Sequence, residues 1–373
     1  MNDKPVWDDG NWEPLLPLIG GVEADVCVIG LGGSGLAAIH ELLALGKTVV
    51  GLDAGAVGGG AAGRNGGFLL AGLPNFYHHA VEAIGRARAR EIYRSTMLQL
   101  ERMAEETPHA IRRTGSLRIA ADDRELADCA EQVTVMRADG FAAEAYDGPE
   151  GRGVLVPGDG AFNPLQRCRS LARSAIGRGA RLFEGCAAEV VSGESVTTSY
   201  GDVHCKHVIV AVDGQLERVV PELSHRTRTA RLQMLATAPD SAVTFPRPVY
   251  YRWGYEYWQQ LPDGRVALGG LRDRAGDAEW TSRAAVTDVV QLGLEEILRD
   301  RLHVTAPITH RWVGLVGYTY DMLPVVEQVR PNLWAIGGYC GTGNVLGALC
   351  GRGVAQTIVN GTSPMIAPLI GTG

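Results

Sequence analysis

The sequence predicts an α/β protein in which a Rossmann-like domain is interrupted by an inserted domain built on an antiparallel sheet. Two observations predict this class. An apolar strand, a Gly-rich turn, a helix and a second apolar strand follow one another over residues 25–53, as at the start of a doubly wound fold. Residues 231–271 alternate in polarity and are rich in β-branched and aromatic residues, which is typical of antiparallel strands.

The first of these segments is a dinucleotide-binding fingerprint. Its glycines fit G-x-G-x-x-G after the strand at residues 26–29. The first glycine makes the tight turn, the second admits a pyrophosphate, and the third lets the helix lie close to the sheet. The free N–H groups and the dipole of the helix N-terminus favour the pyrophosphate anion, and the acid that ends the second strand can accept hydrogen bonds from ribose hydroxyls. The candidate residues are Gly30, Gly32, Gly33, Ser34, Gly35, Asp53 and Ala54.

Segments typical of a nucleotide-binding domain recur in the middle and at the end of the chain, with segments of a different character between them. Strands over 181–212 end in Val-Ala-Val-Asp-Gly, and a strand at 333–336 leads through a second Gly-rich turn into a final helix. We therefore predict one nucleotide domain in three pieces, with a substrate domain built from two insertions. The predicted nucleotide domain covers 1–80, 150–225 and 325–373, and the predicted substrate domain covers 81–149 and 226–324.

Composition excludes several classes of function. The net charge of −7 argues against a nucleic-acid partner. The seven cysteines are scattered without a C-x-x-C pair, which suggests reduced thiols and a cytoplasmic location. The N-terminus has no secretory signal, and no long uncharged apolar run predicts a membrane span. His78-His79 is interpreted as a loop feature and His204-x-x-His207 as a strand edge, so no metal site is expected.

Taken together, motifs spread over nearly the whole chain resemble the FAD-dependent amino acid oxidase family. Beyond the fingerprint, they are Gly63-Arg64-Asn65-Gly66-Gly67, Asn163-Pro164, Val208 to Gly214, Trp312-Val-Gly314, Asp321 to Pro324 and Gly338 to Asn344. The Gly-Arg-Asn-Gly-Gly loop and the aromatic N-terminal arm most resemble the γ-glutamylputrescine oxidoreductase branch, and the glycine and sarcosine oxidases are also similar. The resemblance implies FAD rather than NAD, in a Rossmann-like FAD-binding domain with an inserted substrate domain.

The resemblance also implies which further residues contact FAD. A loop lines the ribityl and flavin side, three residues border the adenosine, and the last Gly-rich turn opens a helix beneath the flavin. A helix N-terminus there would stabilise the negative charge of a reduced flavin. These residues are Arg64, Asn65, Gly66, Gly67, Val190, Ala211, Gly214, Gly338, Gly341, Thr342, Gly343 and Asn344. Residues 312–324 contain no cysteine, so we predict non-covalent FAD.

The expected substrate wall is the aromatic run at residues 250–260. Alternation along a strand would put Tyr251, Trp253, Tyr255 and Tyr257 on one face, unless Gly254 introduces a bulge. Arg252 could bind a carboxylate with two parallel hydrogen bonds. Sheet packing is the alternative for each of these tyrosines, and a surface position is the alternative for the arginine.

Two absences leave the substrate and the electron acceptor open. Glycine oxidase and its kin carry a carboxylate-binding arginine two residues after the glycine of Trp-x-Gly, and this position is Val316. The substrate is therefore an amine without an α-carboxylate, or its carboxylate binds Arg252, Arg272 or Arg311. Relatives of sarcosine oxidase use a lysine to assist oxygen, and no lysine lies in 207–373.

The predicted function is oxidation of a C–N bond of an amine or amino acid by hydride transfer to flavin N5. The imine that results is hydrolysed by water. A flavoprotein that does not turn over or that serves a partner is one alternative, and an NAD-dependent dehydrogenase is another. The electron acceptor, whether oxygen or another molecule, is not predicted.

Overall fold

The computed structural model describes residues 3–370 and has two large sheets. The first has six strands and is parallel except at one edge, where its last two strands run antiparallel. Apolar β-branched residues dominate these strands, as expected for a sheet covered on both faces. In spatial order the strands are Arg181–Phe183, Val49–Leu52, Val26–Ile29, His207–Val210, Leu333–Gly337 and Val325–Arg330.

The second sheet has eight strands and is antiparallel except for one pair, in which Val249–Tyr251 runs parallel to Ser116–Ile119. In spatial order its strands are Ile308–Thr319, Thr227–Pro239, Arg265–Gly270, Glu256–Gln260, Val249–Tyr251, Ser116–Ile119, Gly151–Val156 and Glu144–Gly148. The mixed α/β class predicted from the sequence is confirmed.

Two smaller sheets complete the β-structure. One has the strand order Val22–Glu23, Gly201–His204, Ser195–Thr198 and Ala188–Val191. The other has the order Phe68–Leu69, Gly160–Phe162 and Ile111–Arg112. The second joins the loop after Arg64 to the body of the protein.

Helices cover both sheets. The α-helices are Gly33–Ala44, Ala61–Arg64, Tyr77–Ile84, Arg86–Glu106, Asp123–Ala138, Pro164–Gly177, Leu216–Val219, Asp288–Glu296 and Gly343–Asn360. Short 3₁₀ segments occur at Pro108–Ala110, Pro221–His225, Arg252–Gly254 and Arg272–Glu279, and a π-helical turn at Ile297–Arg301. Over residues 3–370, no helix has both the length and the apolar character that crossing a membrane would need.

Close packing of two helices positions the cleft described below. Gly33–Ala44 and Gly343–Asn360 approach so closely that a Cβ on Gly351 would stand 2.1 Å from the carbonyl oxygen of Ser34. Both helices begin at the same cleft. Their mutual packing therefore sets how the two N-termini face each other.

The proposed division into domains stays a prediction, but one strand departs from it. Every strand of the six-stranded sheet comes from the three segments assigned to the nucleotide domain. Gly151–Val156 was assigned there too, yet it pairs with Ser116–Ile119 in the eight-stranded sheet. The boundary placed at residue 150 is wrong at this point, because the strand takes its partners from the insertion that precedes it.

Candidate active site: a cleft that joins the two large sheets

A cleft of about 1730 Å³ extends from the first βα turn of the six-stranded sheet to the tyrosines of the eight-stranded sheet. This volume is above the range of about 300–1,000 Å³ common for small-ligand pockets. At one end it is bordered by Gly32 and Asp53, and at the other by Tyr257 and Tyr318. It therefore has room for a long ligand with a second chamber beyond it.

The turn at the start of the cleft admits only glycine at two of the fingerprint positions. Gly30 has φ +102°, and a Cβ there would lie 2.6 Å from the carbonyl oxygen of Ala211. A Cβ on Gly35 would lie 1.9 Å from the carbonyl oxygen of Gly30. Neither the helix that starts at Gly33 nor the one that starts at Gly343 has a side-chain cap in the described chain. Their free N–H groups face the cleft and suit the negative charges of a diphosphate and of a reduced flavin.

Asp53 lies where the ribose hydroxyls of an adenosine would be expected. Its carboxylate accepts hydrogen bonds from the backbone N–H groups of Leu31 and Gly55, each at 2.8 Å. Burial raises the pKa of Asp53, and the nearby carboxylate of Glu184 adds to the shift. Further hydroxyl donors would relieve that cost, because a carboxylate can accept more than two hydrogen bonds.

Two tryptophans hold the Arg64–Asn65 loop. The indole N–H of Trp7 donates to the carbonyl oxygen of Asn65 at 2.9 Å, and that of Trp312 donates to the carbonyl oxygen of Arg64 at 2.8 Å. The Asn65 side chain accepts from the N–H of Gly67 at 2.8 Å and from the Asn344 amide at 3.2 Å. The N-terminal arm and the second sheet thus fix the loop from two sides.

Beyond this loop the cleft widens into an aromatic chamber. The Tyr257 ring lies against Gly66, where a Cβ would stand 3.0 Å from it, and the Tyr318 hydroxyl lies 3.7 Å from a Cβ built on Gly341. Tyr250 packs 4.8 Å from Phe68 and 6.0 Å from Tyr257, measured between ring centroids. Burial raises the pKa of Tyr250 and of Tyr318 to about 12 and that of Tyr257 further. All three hydroxyls are protonated at neutral pH and can donate hydrogen bonds.

Two arginines supply positive charge to the chamber. The guanidinium of Arg272 stacks between Trp280 and Tyr318, 4.7 and 4.9 Å from their centroids. That of Arg118 lies over Phe76 at 4.6 Å and near Tyr250 at 5.8 Å. Over residues 3–370, no carboxylate oxygen forms an ion pair with either within 4.0 Å. Both are therefore available to an anionic group in the chamber.

The expected alternation of the aromatic run is wrong. Arg252, Trp253 and Gly254 have φ values of +52°, +51° and +84°, so the chain turns sharply there instead of running straight. As a result Tyr250 is paired with Tyr257, and Tyr251 with Glu256. Tyr251 points away from the chamber and packs 6.4 Å from Trp258.

The guanidinium of Arg252 is not free to bind a substrate carboxylate. It donates to Glu256 at 2.6–3.0 Å and to Asp273 at 2.7 and 3.0 Å. These hydrogen bonds to Asp273 and Glu256 raise its pKa further above the ordinary value. Two protein carboxylates already occupy its donors, so the guanidinium ties the turn to the segment at 272–279.

The structure brings most of the remaining candidate residues to the cleft, and their roles at a cofactor or substrate stay predictions. Those that line it are Gly30, Gly32, Gly33, Ser34, Asp53, Ala54, Arg64, Asn65, Gly66, Val190, Ala211, Gly214, Gly341, Thr342, Gly343, Asn344, Trp253, Tyr255 and Tyr257. Gly35, Gly67 and Gly338 lie behind the wall, where a Cβ would clash with Gly30, Phe162 and Thr319. Arg311 lines the cleft but donates to Gln291 at 2.6 Å and pairs with Glu295.

Sequence reasoning missed Tyr250, Tyr318 and Arg118. Tyr250 lies in the aromatic run, but the wrong register put its neighbour in the chamber. Tyr318 lies in the same long strand as Trp312, two residues after Val316. Residues two apart in a strand share a face, which could have placed Tyr318 beside Val316, and both do line the cleft. No signal in the sequence marks Arg118, because strand Ser116–Ile119 reaches the chamber only by pairing with Val249–Tyr251.

The fold and the cleft define a dinucleotide-binding protein whose cleft continues into an aromatic chamber. The chain belongs to the family described as FAD dependent oxidoreductase, which matches residues 25–357. FAD, predicted from the resemblance, is thus confirmed as the cofactor, and a non-covalent link stays a prediction. The uncapped helix N-termini and the glycine cradle described above fit its diphosphate.

Known relatives and solved structures agree with this assignment. The chain is 27% identical to a probable oxidoreductase OrdL of Rhizobium meliloti, over 92% of this chain and 85% of that protein. It is 26% identical to the gamma-glutamylputrescine oxidoreductase of Escherichia coli, over 93% and 86%. An L-proline dehydrogenase from P. horikoshii shares the fold with a TM-score of 0.76 at 19% identity, over 93% of this chain and 95% of that one. A glycine oxidase from Geobacillus kaustophilus does so with a TM-score of 0.74 at 19% identity, over 91% and 95%.

Proposed function

We propose that this protein oxidises the C–N bond of a small amine or amino acid that carries a carboxylate. The observation that carries the proposal is the chamber itself. Tyr257 lies against the Gly66 side of the cofactor cleft, Tyr318 reaches towards Gly341, and Arg272 is held between two aromatic rings beside them. A relative named gamma-glutamylputrescine oxidoreductase, and structures named L-proline dehydrogenase and glycine oxidase that share the fold, support an amine or amino acid as substrate.

The cofactor would be held by the groups that line the first part of the cleft. Gly32, Gly33 and Ser34 would meet the diphosphate, Asp53 the ribose, and Asn65 with Gly66 the flavin side. When bound, FAD supplies the acceptor for the hydride that leaves the substrate carbon. The chain itself must hold that carbon in place and exclude water from it.

The chamber residues suit those two tasks. Arg272 can bind a carboxylate through two parallel N–H groups, and stacking on Trp280 and Tyr318 limits its motion. The tyrosine hydroxyls remain protonated and act as donors rather than bases. The amine therefore has to arrive neutral or lose its proton to water, and the resulting imine is hydrolysed by water.

The test is an anaerobic screen that follows the visible absorption of the bound flavin. Amines with and without a carboxylate are added, and bleaching reports transfer of two electrons. We expect bleaching by at least one carboxylate-bearing amine. If no amine or amino acid in the screen bleaches the flavin, the proposal is wrong. Recovery of the colour on admitting air distinguishes an oxidase from a dehydrogenase.

A matched pair of variants tests the role of Arg272. Arg272→Gln should raise the Kd for the best carboxylate substrate about tenfold to a hundredfold, as loss of a charged hydrogen bond of about 1.5–3 kcal/mol predicts. Arg228→Gln is the control, because Arg228 stacks on the same Trp280 at 4.3 Å but does not line the cleft. Equal effects of both variants would show that Arg272 acts only through packing.

The proposed location is the cytoplasm. All seven cysteines are free in the structure. Unpaired thiols suit a reducing compartment. Labelling of the thiols in intact cells against lysed cells would test this.

A further inference from the structure

Three potential metal ligands converge outside the cleft. His78 and His79 lie in helix Tyr77–Ile84, and Asp128 lies in helix Asp123–Ala138, which packs against it. One ligand atom from each residue lies within 4.8 Å of the other two. The two histidines were expected in a loop, but the helix and the packing of its neighbour bring them to one carboxylate.

The ring of His78 is buried beside this carboxylate. Its side chain is 3% exposed, and neither nitrogen has a partner among the described residues. The Nε2 atoms of His78 and His79 each stand 3.7 Å from Oδ1 of Asp128, which is too long for a hydrogen bond. A buried imidazole whose nitrogens have no partner among the described residues can offer a ring nitrogen to a metal.

Asp128 is oriented by a residue of the cleft wall. Its Oδ2 accepts a hydrogen bond from the indole N–H of Trp253 at 3.0 Å. This contact leaves Oδ1 facing the two histidines. A carboxylate that is fixed in this way by an outer hydrogen bond is a common feature of metal sites.

We propose that His78 Nε2, His79 Nε2 and Asp128 Oδ1 bind a divalent transition-metal cation, of which Zn²⁺ suits the ligand set best. Two imidazoles and one carboxylate are ordinary zinc ligands, with bonds of about 2.0–2.2 Å. Each imidazole Nε2 already lies 3.7 Å from Oδ1 of Asp128, and all three ligand atoms lie within 4.8 Å of one another, so a metal ion would draw them together. The nearby carboxylates of Glu82 and Glu131 add negative potential.

The cation would also connect to the substrate chamber. His79 is 40% exposed, so a fourth position is open to solvent on its side. Through Asp128 the cation would hold Trp253, which lines the cleft. Its effect would therefore be to fix one wall of the chamber rather than to take part in the reaction.

The experiment uses the untagged, FAD-loaded protein, stripped with a chelator and then titrated with Zn²⁺ alone. We expect one equivalent of Zn²⁺ per chain, measured by calorimetry and by metal analysis after gel filtration. Co²⁺ in its place should give the visible absorption of a low-coordinate nitrogen and oxygen site. His79→Gln and Asp128→Asn should each weaken binding at least tenfold, and Trp253→Phe by about tenfold through loss of the outer hydrogen bond.

His109→Gln is the matched control, because His109 is exposed, its ring is hydrogen-bonded to Ser170 at 2.9 Å, and it is not one of the three clustered ligands. Its affinity for Zn²⁺ should equal that of the wild type. The proposal fails if wild-type protein and His79→Gln bind Zn²⁺ equally, or if neither retains it after gel filtration. Circular dichroism of each variant shows whether the fold is kept, and neither the calorimetry nor the metal analysis depends on turnover of the flavin.

Discussion

Replacement of Gly351 by alanine tests whether contact between two helices sets the geometry of the cofactor cleft. The new Cβ would stand 2.1 Å from the carbonyl oxygen of Ser34 and 3.2 Å from the nitrogen of Ala38. Cβ atoms in proteins essentially never approach another heavy atom within 3.0 Å. The nearest atom here belongs to the backbone of the facing helix, which cannot rotate away as a side chain could. The helices that begin at Gly33 and Gly343 must therefore move apart by about 1 Å, and overpacking of this kind costs about 1–3 kcal/mol.

The net change is smaller than the clash alone, because alanine is favoured over glycine in a helix by up to ~1 kcal/mol. We expect Gly351→Ala to lower the free energy of unfolding by about 0–2 kcal/mol and to weaken FAD binding. Urea unfolding and titration of the apoprotein with FAD measure the two effects.

Gly177→Ala serves as the matched control, because Gly177 also lies in a helix and has nothing within 4 Å of its Cβ. It should leave FAD affinity unchanged and raise stability by at most ~1 kcal/mol. If both variants unfold at the same urea concentration, the close contact between the helices does not hold the cleft.

Three further changes act at separate places. Trp7→Phe removes the indole hydrogen bond to Asn65, so FAD affinity should fall about fivefold to tenfold, or ~1 kcal/mol, in fluorescence titrations. Arg252→Gln leaves the buried carboxylate of Glu256 without its charged partner, and the free energy of unfolding should fall by about 2 kcal/mol in urea. Burial raises the pKa of Asp159 to about 6, so the folded protein favours the protonated carboxyl. The free energy of unfolding therefore falls as the pH rises and this group loses its proton. An asparagine side chain does not titrate, so the free energy of unfolding of Asp159→Asn should rise relative to that of the wild type by about 1–3 kcal/mol between pH ~4 and pH ~6. A difference between the two proteins that stays constant with pH would contradict this.

The nucleotide half of the cleft could be predicted because its signals are local. The strand, turn, helix and acid follow each other within residues 26–53, and the glycines are required by contacts to neighbouring backbone. The resemblance then supplied the loop at 64–67 and the final turn. Each of these segments acts mainly through its own backbone conformation.

The substrate half could not be predicted because it depends on contacts between distant segments. Alternation assumes an extended chain, yet Arg252 and Trp253 adopt positive φ without being glycine or asparagine. Asp273, which engages Arg252, is 21 residues away, and Asp128, which engages Trp253, is 125 residues away. A pattern within one strand contains no information about such partners.

The absence of arginine at position 316 does not remove positive charge from the chamber. Val316 and Tyr318 both line the cleft, and Arg272 stacks on Tyr318, so its guanidinium lies beside the part of the wall that Val316 forms. The segment that bears Arg272 is anchored by the ion pair of Arg231 with Glu279 at 2.7 Å, and both of those side chains are buried. In this chain the cation comes from a looped segment fixed by ion pairs rather than from the strand. If Arg272 binds the substrate carboxylate as we propose, the position of that carboxylate depends on how firmly this segment is held, and substitutions outside the chamber should change substrate preference without altering contacts to the flavin.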